Sequence, residues 1–225
     1  MACFLFLAIQ DLTVMKKMKY LSVVLFVALF SFAFTSCVIH ENDDYYNPQP
    51  VGYTNVFNEE FNNDNRGWTF DDPADSAYGF VTTGMYKFVD ESKTGGGHQA
   101  VVSTGVNTSR NFLIKTSMKS DYAMAVVFGV SNTSAGYSFF VDNAGYFAVY
   151  KEGTSPQTIV DWTQSNEITS SWNDVEVEQV GEDWVGYINN KKVFTIPARV
   201  LVGSKIGYMV LANTVGYADY LTVKW

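Results

Sequence analysis

The chain has 225 residues, of which 47% are hydrophobic, 16% aromatic and only 17% charged. That composition excludes a disordered protein and supplies enough apolar side chains for one large core. A formal net charge of -8, with no basic run after Lys19, argues against a nucleic-acid partner, because affinity for phosphate backbones comes from clustered Lys and Arg.

From Met15 the sequence reads MKKMKYLSVVLFVALFSFAFTSC. Lys16, Lys17 and Lys19 come first, then an uncharged stretch from Tyr20 to Phe34, then small polar residues before Cys37. This is the plan of a secretory signal peptide, and the apolar stretch falls short of the ~20 residues that cross a bilayer. Residues 1–14 put a second apolar stretch ahead of the basic one, so Met15 or Met18 is the expected true start. By residue type alone Cys37 is a processing site, a metal ligand, a buried thiol or half of a disulfide, with Cys3 the only other cysteine. The residues FTSC resemble a bacterial lipobox, with Phe34 where that motif prefers Leu. The resemblance implies removal of residues 1–36 and a lipid (palmitate-type acyl chains) on Cys37 as the new N-terminus. Glu41, Asp43 and Asp44 follow, and this segment resembles the acidic export signal of surface-exposed Bacteroidetes lipoproteins, which implies anchoring in the outer membrane facing the exterior. Losing residues 1–36 would remove three lysines and one aspartate and leave the remainder more acidic. Residues 37–54 carry Pro48 and Pro50 without periodicity and read as a flexible acidic tether, so the domain is expected over 55–225.

From Asn55 onward there is no amphipathic helical pattern. Short runs rich in Val, Tyr, Phe and Thr are separated by Gly, Asn, Asp and Ser, which predicts an all-β domain. In order they are NVFNEEF, AYGFVTTG, MYKFVDE, AVVSTG, NFLIKTSMK, AMAVVFGVS, YSFFVD, YFAVYKE, TIVDWT, DVEVEQV, DWVGYIN, KVFTIP, KIGYMVLA and ADYLTVKW. Asp142 to Gly145, Gly181 to Asp183, and Asn189 with Asn190 supply tight hairpin turns. In DVEVEQV, Val175 and Val177 are expected inward and Glu176 and Glu178 outward. In AMAVVFGV the larger Met124, Val126, Phe128 and Val130 are expected on one face and Ala123, Ala125, Val127 and Gly129 on the other.

The positions Phe57 and Phe61, Gly67 and Trp68, Tyr146 to Tyr150, Trp172 and Asn173, Asn189 to Val193, and Asp219 resemble, in order, the packing and turn pattern of concanavalin A-like or laminin G-like jelly-roll domains. The resemblance spans about residues 55–225 and implies a two-sheet antiparallel jelly-roll sandwich of the lectin/glucanase type. It also implies that Trp68, Trp172 and Trp184 are core residues. Structural Ca²⁺ in such domains lies near the first and last strands, which would involve Glu59, Glu60 and Asp219; Asp71, Asp72 and Asp75 form another acidic group. Asp75 to Ala77 resembles an O-glycosylation acceptor.

Catalytic signals are sparse. Glycoside hydrolysis needs two carboxylates flanking one bond. EVEQVGE offers Glu176 and Glu178 on one face with Glu182 in the turn, while Glu178 with Asp161 or Asp219 would be a pair from separate strands. Two histidines, His40 and His98, do not make a zinc cluster. The glycines before His98 lack the Lys of a phosphate loop. Sugars stack their apolar face on exposed rings, and Trp162, Tyr78, and Tyr137 beside Asn132 are the loop-adjacent candidates among five Trp and fourteen Tyr. The sequence therefore points to a surface lipoprotein bearing a non-catalytic glycan-binding module. The alternatives are a divergent glycoside hydrolase, and a structural, adhesion or assembly protein with a surface-protein partner.

Overall fold

A computed structural model describes residues 53–93, 95–105 and 111–225. Cys37, His40, the signal region and the tether up to residue 52 lie outside the described residues. The described chain forms two antiparallel sheets and, among these residues, no helix. The strands are β1 (Asn55–Glu59), β2 (Phe70–Asp72), β3 (Ala77–Thr82), β4 (Met85–Asp90), β5 (His98–Ser103), β6 (Leu113–Ser120), β7 (Ala123–Val130) and β8 (Gly136–Asp142). They continue as β9 (Tyr146–Glu152), β10 (Gln157–Gln164), β11 (Asn173–Val180), β12 (Asp183–Ile188), β13 (Lys191–Pro197), β14 (Lys205–Val210) and β15 (Thr214–Lys224). Every run expected from sequence forms a strand. The short edge strand β2 was not foreseen, and β15 begins four residues earlier than the closing run.

One sheet has the order β13-β12-β11-β6-β15-β4-β3-β2, with β1 also on β15; the other has the order β10-β9-β8-β7-β14-β5. Strand β15 organises the larger sheet. Along one edge it pairs with β6; along the other, Thr214 to Ala218 pairs with β4 and Leu221 to Lys224 pairs with β1. A bulge between Ala218 and Tyr220 leaves Asp219 exposed. Strand pairing reaches back to Thr54, whose backbone N–H and C=O both bond Trp225.

Turn chemistry sets the hairpins. Asn189 and Asn190 take φ 51° and 65° between β12 and β13, and Gly145 (φ 93°) and Gly181 (φ 61°) do so in their turns, conformations that cost these residues least. Asp142 closes the β8–β9 turn by accepting the N–H of Ala144 and of Tyr146.

The space between the sheets is filled by two groups of rings. Phe61, Trp68, Tyr86 and Tyr208 lie within 5.4–6.3 Å of one another where paired, and Phe112, Phe128, Tyr137 and Trp184 within 4.7–6.3 Å. Both indoles and the Tyr208 hydroxyl find partners, whereas the buried Tyr86 hydroxyl has none among the described residues. Trp68 Nε1 donates to Glu59 Oε2 (3.0 Å), Trp184 Nε1 to Gln179 Oε1 (3.0 Å), and the Tyr208 and Thr116 hydroxyls bond at 2.7 Å. Burying an indole or phenol without such a partner would cost about 1–3 kcal/mol.

Strand β7 departs from simple alternation. Met124, Val126 and Phe128 face the main core as expected, but Val130 packs on the opposite face with Ala123, Ala125 and Val127. The cause is Gly129, whose φ of 61° shifts the register against β14 and turns the last residue over. A Cβ on Gly129 would also sit 2.7 Å from Leu201 Cδ2. Gly129→Ala is expected to destabilise the domain by about 2 kcal/mol or more, combining left-handed strain with overpacking. Differential scanning calorimetry should show a melting temperature lower by roughly 4–8 °C.

Candidate functional site

The outer face of the six-stranded sheet carries an aromatic pocket. On β9 the alternation places Tyr146, Ala148, Tyr150 and Glu152 outward while Phe147 and Val149 enter the core. Strand β10 is an edge strand with two register shifts against β9, and the second of them lies around Trp162. Trp162 therefore stands off the sheet, 38% exposed, its ring 6.0 Å from Phe140. Phe140 in turn meets Tyr150 edge-on at 6.0 Å. With Glu152, Met209 and Leu211 these side chains line a pocket of about 170 Å³.

Its polar groups are few and held in place. Glu152 is almost fully buried and accepts the Ser138 hydroxyl at 2.5 Å, and Ser138 has no exposed surface. Burial, then the charges of Asp161 and Glu152, push the Tyr150 phenol up, while a hydrogen bond from Trp162 acts the other way. Next to Met209, Gln99 places its amide nitrogen 3.8 Å from the Met209 sulfur and leaves its buried carbonyl oxygen without a partner among the described residues. A half-exposed indole, a phenol and a fixed carboxylate suit a ligand with one apolar face and several hydroxyls.

The outer face of the nine-stranded sheet holds the other carboxylates. Glu176 and Glu178 point outward from β11 and Val175 and Val177 inward, as expected. Lys115, Asp174, Glu176, Tyr187 and Asn190 line a pocket of about 260 Å³. Asp174 lies 3.8 Å from Lys115 Nζ and accepts the Tyr220 hydroxyl (3.5 Å); Glu178 accepts that of Tyr53 (3.0 Å). Burial pushes the Glu176 carboxyl up, with Lys115 opposing it.

The remaining expected site residues are scattered. Tyr137 is a core residue, 3% exposed, packed against Trp184 at 4.7 Å with its hydroxyl donated to the Val200 carbonyl, so it offers no platform. Asn132 sits exposed in the β7–β8 turn. Tyr78 lies on the outer face of β3, its hydroxyl donated to Glu91. Trp68 and Trp184 are core, but Trp172 is half-buried beneath Lys119 Nζ (4.7 Å) on the outer face. Asp161 belongs to β10 and Glu178 to β11 of the opposite sheet, so they cannot flank one bond. Asp219 shares the sheet with Glu178, but Glu178 pairs with Leu113 whereas Asp219 lies beside Ser117 and Met118. Four residues of strand separate these positions by roughly 14 Å, too far for the ~5–9.5 Å of a hydrolytic pair.

The calcium group does not fit an ion. Both Glu59 oxygens are taken, Oε1 by the Phe61 N–H and Oε2 by Trp68 and Arg66, Glu60 accepts from Asn58, and Asp219 protrudes from its bulge. Among the described residues no group of three or more His, Cys, Asp or Glu is placed to hold a metal. Asp71, Asp75 and Ser76 are exposed and Asp72 is half-buried around the β2–β3 turn. Tyr150, Glu152 and Phe140 went unforeseen. The signal for Tyr150 and Glu152 is present in YFAVYKE, where two tyrosines and a glutamate share a face, but apolar residues on both faces hide which one is outside.

No family model matches this chain, and no curated protein matches it either. Solved structures do. The CBM2 module of the evolved Dit of Lactobacillus casei BL23 phage J-1 is 10% identical over 77% of this chain and 96% of its own, with a TM-score of 0.51. A carbohydrate binding module from Bacillus subtilis, CBM66, is 15% identical over 75% and 92%, with a TM-score of 0.43. LamAcat from Zobellia galactanivorans is 9% identical over 76% and 98%, with a TM-score of 0.46. The fold is an all-β jelly-roll sandwich of two antiparallel sheets.

His98 opens β5 and joins the two sheets. Its Nδ1 lies 2.7 Å from Asp90 Oδ2 on β4, and its Nε2 3.7 Å from Asp75. Burial, the largest influence on Asp90, opposes its ionisation, but hydrogen bonds from Ser92 and His98 outweigh it and hold the carboxyl below the usual range. A depressed carboxylate stabilises the fold above its unfolded value of ~4 and ceases to do so as pH falls through its folded value. Asp90→Asn should cost about 2 kcal/mol at pH 7. The urea midpoints of the two proteins should converge as pH falls below about 4.

Proposed function

We propose that the protein is a surface-displayed lipoprotein whose jelly-roll domain binds glycans, on the outer membrane, through the pocket built on β9 and β10. The observation that carries this reading is the exposed Trp162 seated beside Tyr150 and Phe140, over the fixed carboxylate of Glu152. A pyranose would lay its C–H face on Trp162 and direct a hydroxyl at Glu152. The pocket has room for about one ring, so the contact is with a chain end or a single branch. In this reading residues 1–36 are the removed signal, Cys37 carries the lipid, Glu41, Asp43 and Asp44 contribute the outward address, and the polar stretch up to residue 54 is the spacer. Affinity electrophoresis through gels containing laminarin, galactomannan, levan or starch tests it. At least one polymer should retard the protein, and Trp162→Ala should abolish the retardation, a loss of about 1–3 kcal/mol, without changing the melting temperature. No retardation by any neutral glycan, or none lost in Trp162→Ala, would refute it.

A second reading, glycoside hydrolysis, has one observation in its favour. Asp174 and Glu176 lie two residues apart on one face of β11, about 7 Å, which falls within the range for an inverting pair. Burial favours a protonated Glu176, while Lys115 and Tyr220 attend Asp174. If that reading holds, the protein releases reducing ends from a polysaccharide and Glu176→Gln loses at least ~100-fold in rate; release unaffected by the substitution would exclude this site.

A further inference from the structure

A single cross-strand row on the outer face of the nine-stranded sheet alternates rings with lysines. Phe80 on β3 pairs with Lys87 on β4, Lys87 with Tyr217 on β15, and Tyr217 with Lys119 on β6. Lys87 Nζ stands 5.7 Å from the Phe80 ring and 5.9 Å from that of Tyr217; Lys119 Nζ stands 5.1 Å from Tyr217 and 4.7 Å from Trp172. Tyr78 extends the far end, stacked on Phe80 at 6.4 Å with planes 7° apart and tied to Glu91. All six of these side chains are half-buried.

Cross-strand pairing alone does not account for the charge in this row. Opposite charges facing each other would stabilise a sheet at least as well, and the chain has acids to spare at a net charge of -8. Yet Lys87 and Lys119 have no carboxylate within ion-pair distance among the described residues, whereas Arg66 and Lys115 do. Each ammonium lies between two rings whose π-faces attract it by about 0.5–1 kcal/mol per contact. That arrangement holds a cation in place, partly stripped of water, and leaves its outer side free for an anion.

Spacing narrows the class of anion. Lys87 and Lys119 flank Tyr217 with one strand between them, so they stand about 9.6 Å apart. A polymer that fits must present a flat apolar ring at Tyr217 and negative groups one repeat apart on either side. Single-stranded nucleic acid carries a denser line of charge and is held by many more cations than this row supplies. A neutral glycan would leave both lysines unused.

We propose that this row is a binding track for an acidic polysaccharide, whose sugar rings stack on Tyr217 and Trp172 while carboxylate or sulfate groups pair with Lys87 and Lys119. The track is separate from the Trp162 pocket, which lies on the other sheet, and it stands or falls independently of that pocket.

Affinity electrophoresis at low salt tests the track, with polygalacturonate as the carboxylate polymer, chondroitin sulfate as the sulfated one, neutral galactan as control and oligo-dT as the nucleic-acid probe. The protein should be retarded by at least one acidic polysaccharide, less so as salt is raised, and not by galactan through this face. Lys87→Gln with Lys119→Gln should weaken that binding at least tenfold, as should Tyr217→Ala. Lys191→Gln with Lys192→Gln, both exposed on β13, should leave it unchanged. Melting curves verify that each variant is folded, and Lys119→Arg should retain binding. The proposal is overturned if neither acidic polysaccharide binds, if the Lys87/Lys119 variant binds like the wild type, if the Lys191/Lys192 variant loses as much, or if oligo-dT binds as tightly as the polysaccharides.

Discussion

The two groups of rings between the sheets are what the rest of the molecule depends on. Trp68 and Trp184 are too large to be buried with an indole N–H unmet, and the chain answers each with one side chain, Glu59 and Gln179. Glu59 shows how far this commitment reaches. Its carboxylate caps the Trp68 indole, receives the Phe61 N–H and pairs with Arg66, whose guanidinium also covers the Phe57 ring at 4.1 Å. An acid that composition alone would offer to a metal is thus consumed in closing the core.

With the interior filled in this way, further rings must lie outside it, and the two outer faces use them differently. On the six-stranded sheet the small residues Ala123, Ala125 and Val127 leave room for Phe140, Tyr150 and Met209 to lie across the strands. Trp162 then stands over them at the edge. On the nine-stranded sheet lysines separate the rings. One face is suited to an uncharged sugar, the other to a charged chain.

Much of the fold was legible because period two leaves a clear mark where one face is wet. Strand β11 illustrates it: Val175 and Val177 of DVEVEQV are buried and the glutamates are not. Where both faces are apolar the mark vanishes. Strand β8 is buried along almost its whole length, so nothing in GYSFFVD tells that Tyr137 enters the core while Phe140 floors a pocket. Val130 fails for another reason, since a single glycine at positive φ reverses the alternation after it. Trp172 follows the same logic from outside: a tryptophan ahead of a buried asparagine looks like core in sequence, but Asn173 turns inward to bond the Thr169 backbone and leaves the ring beneath Lys119.

In the binding mode we propose, Trp162 and not the core tryptophans meets the ligand. Indole N–H signals in a ¹H–¹⁵N correlation spectrum separate the five tryptophans, so titrating the labelled protein with an oligosaccharide of whichever polymer retards it reads the claim directly. The Trp162 indole should shift, accompanied by the backbone amides of Tyr146 to Glu152, while the Trp68 and Trp184 indoles, held by Glu59 and Gln179, stay in place. A Trp162 signal that does not move while the sugar shifts other residues would contradict it.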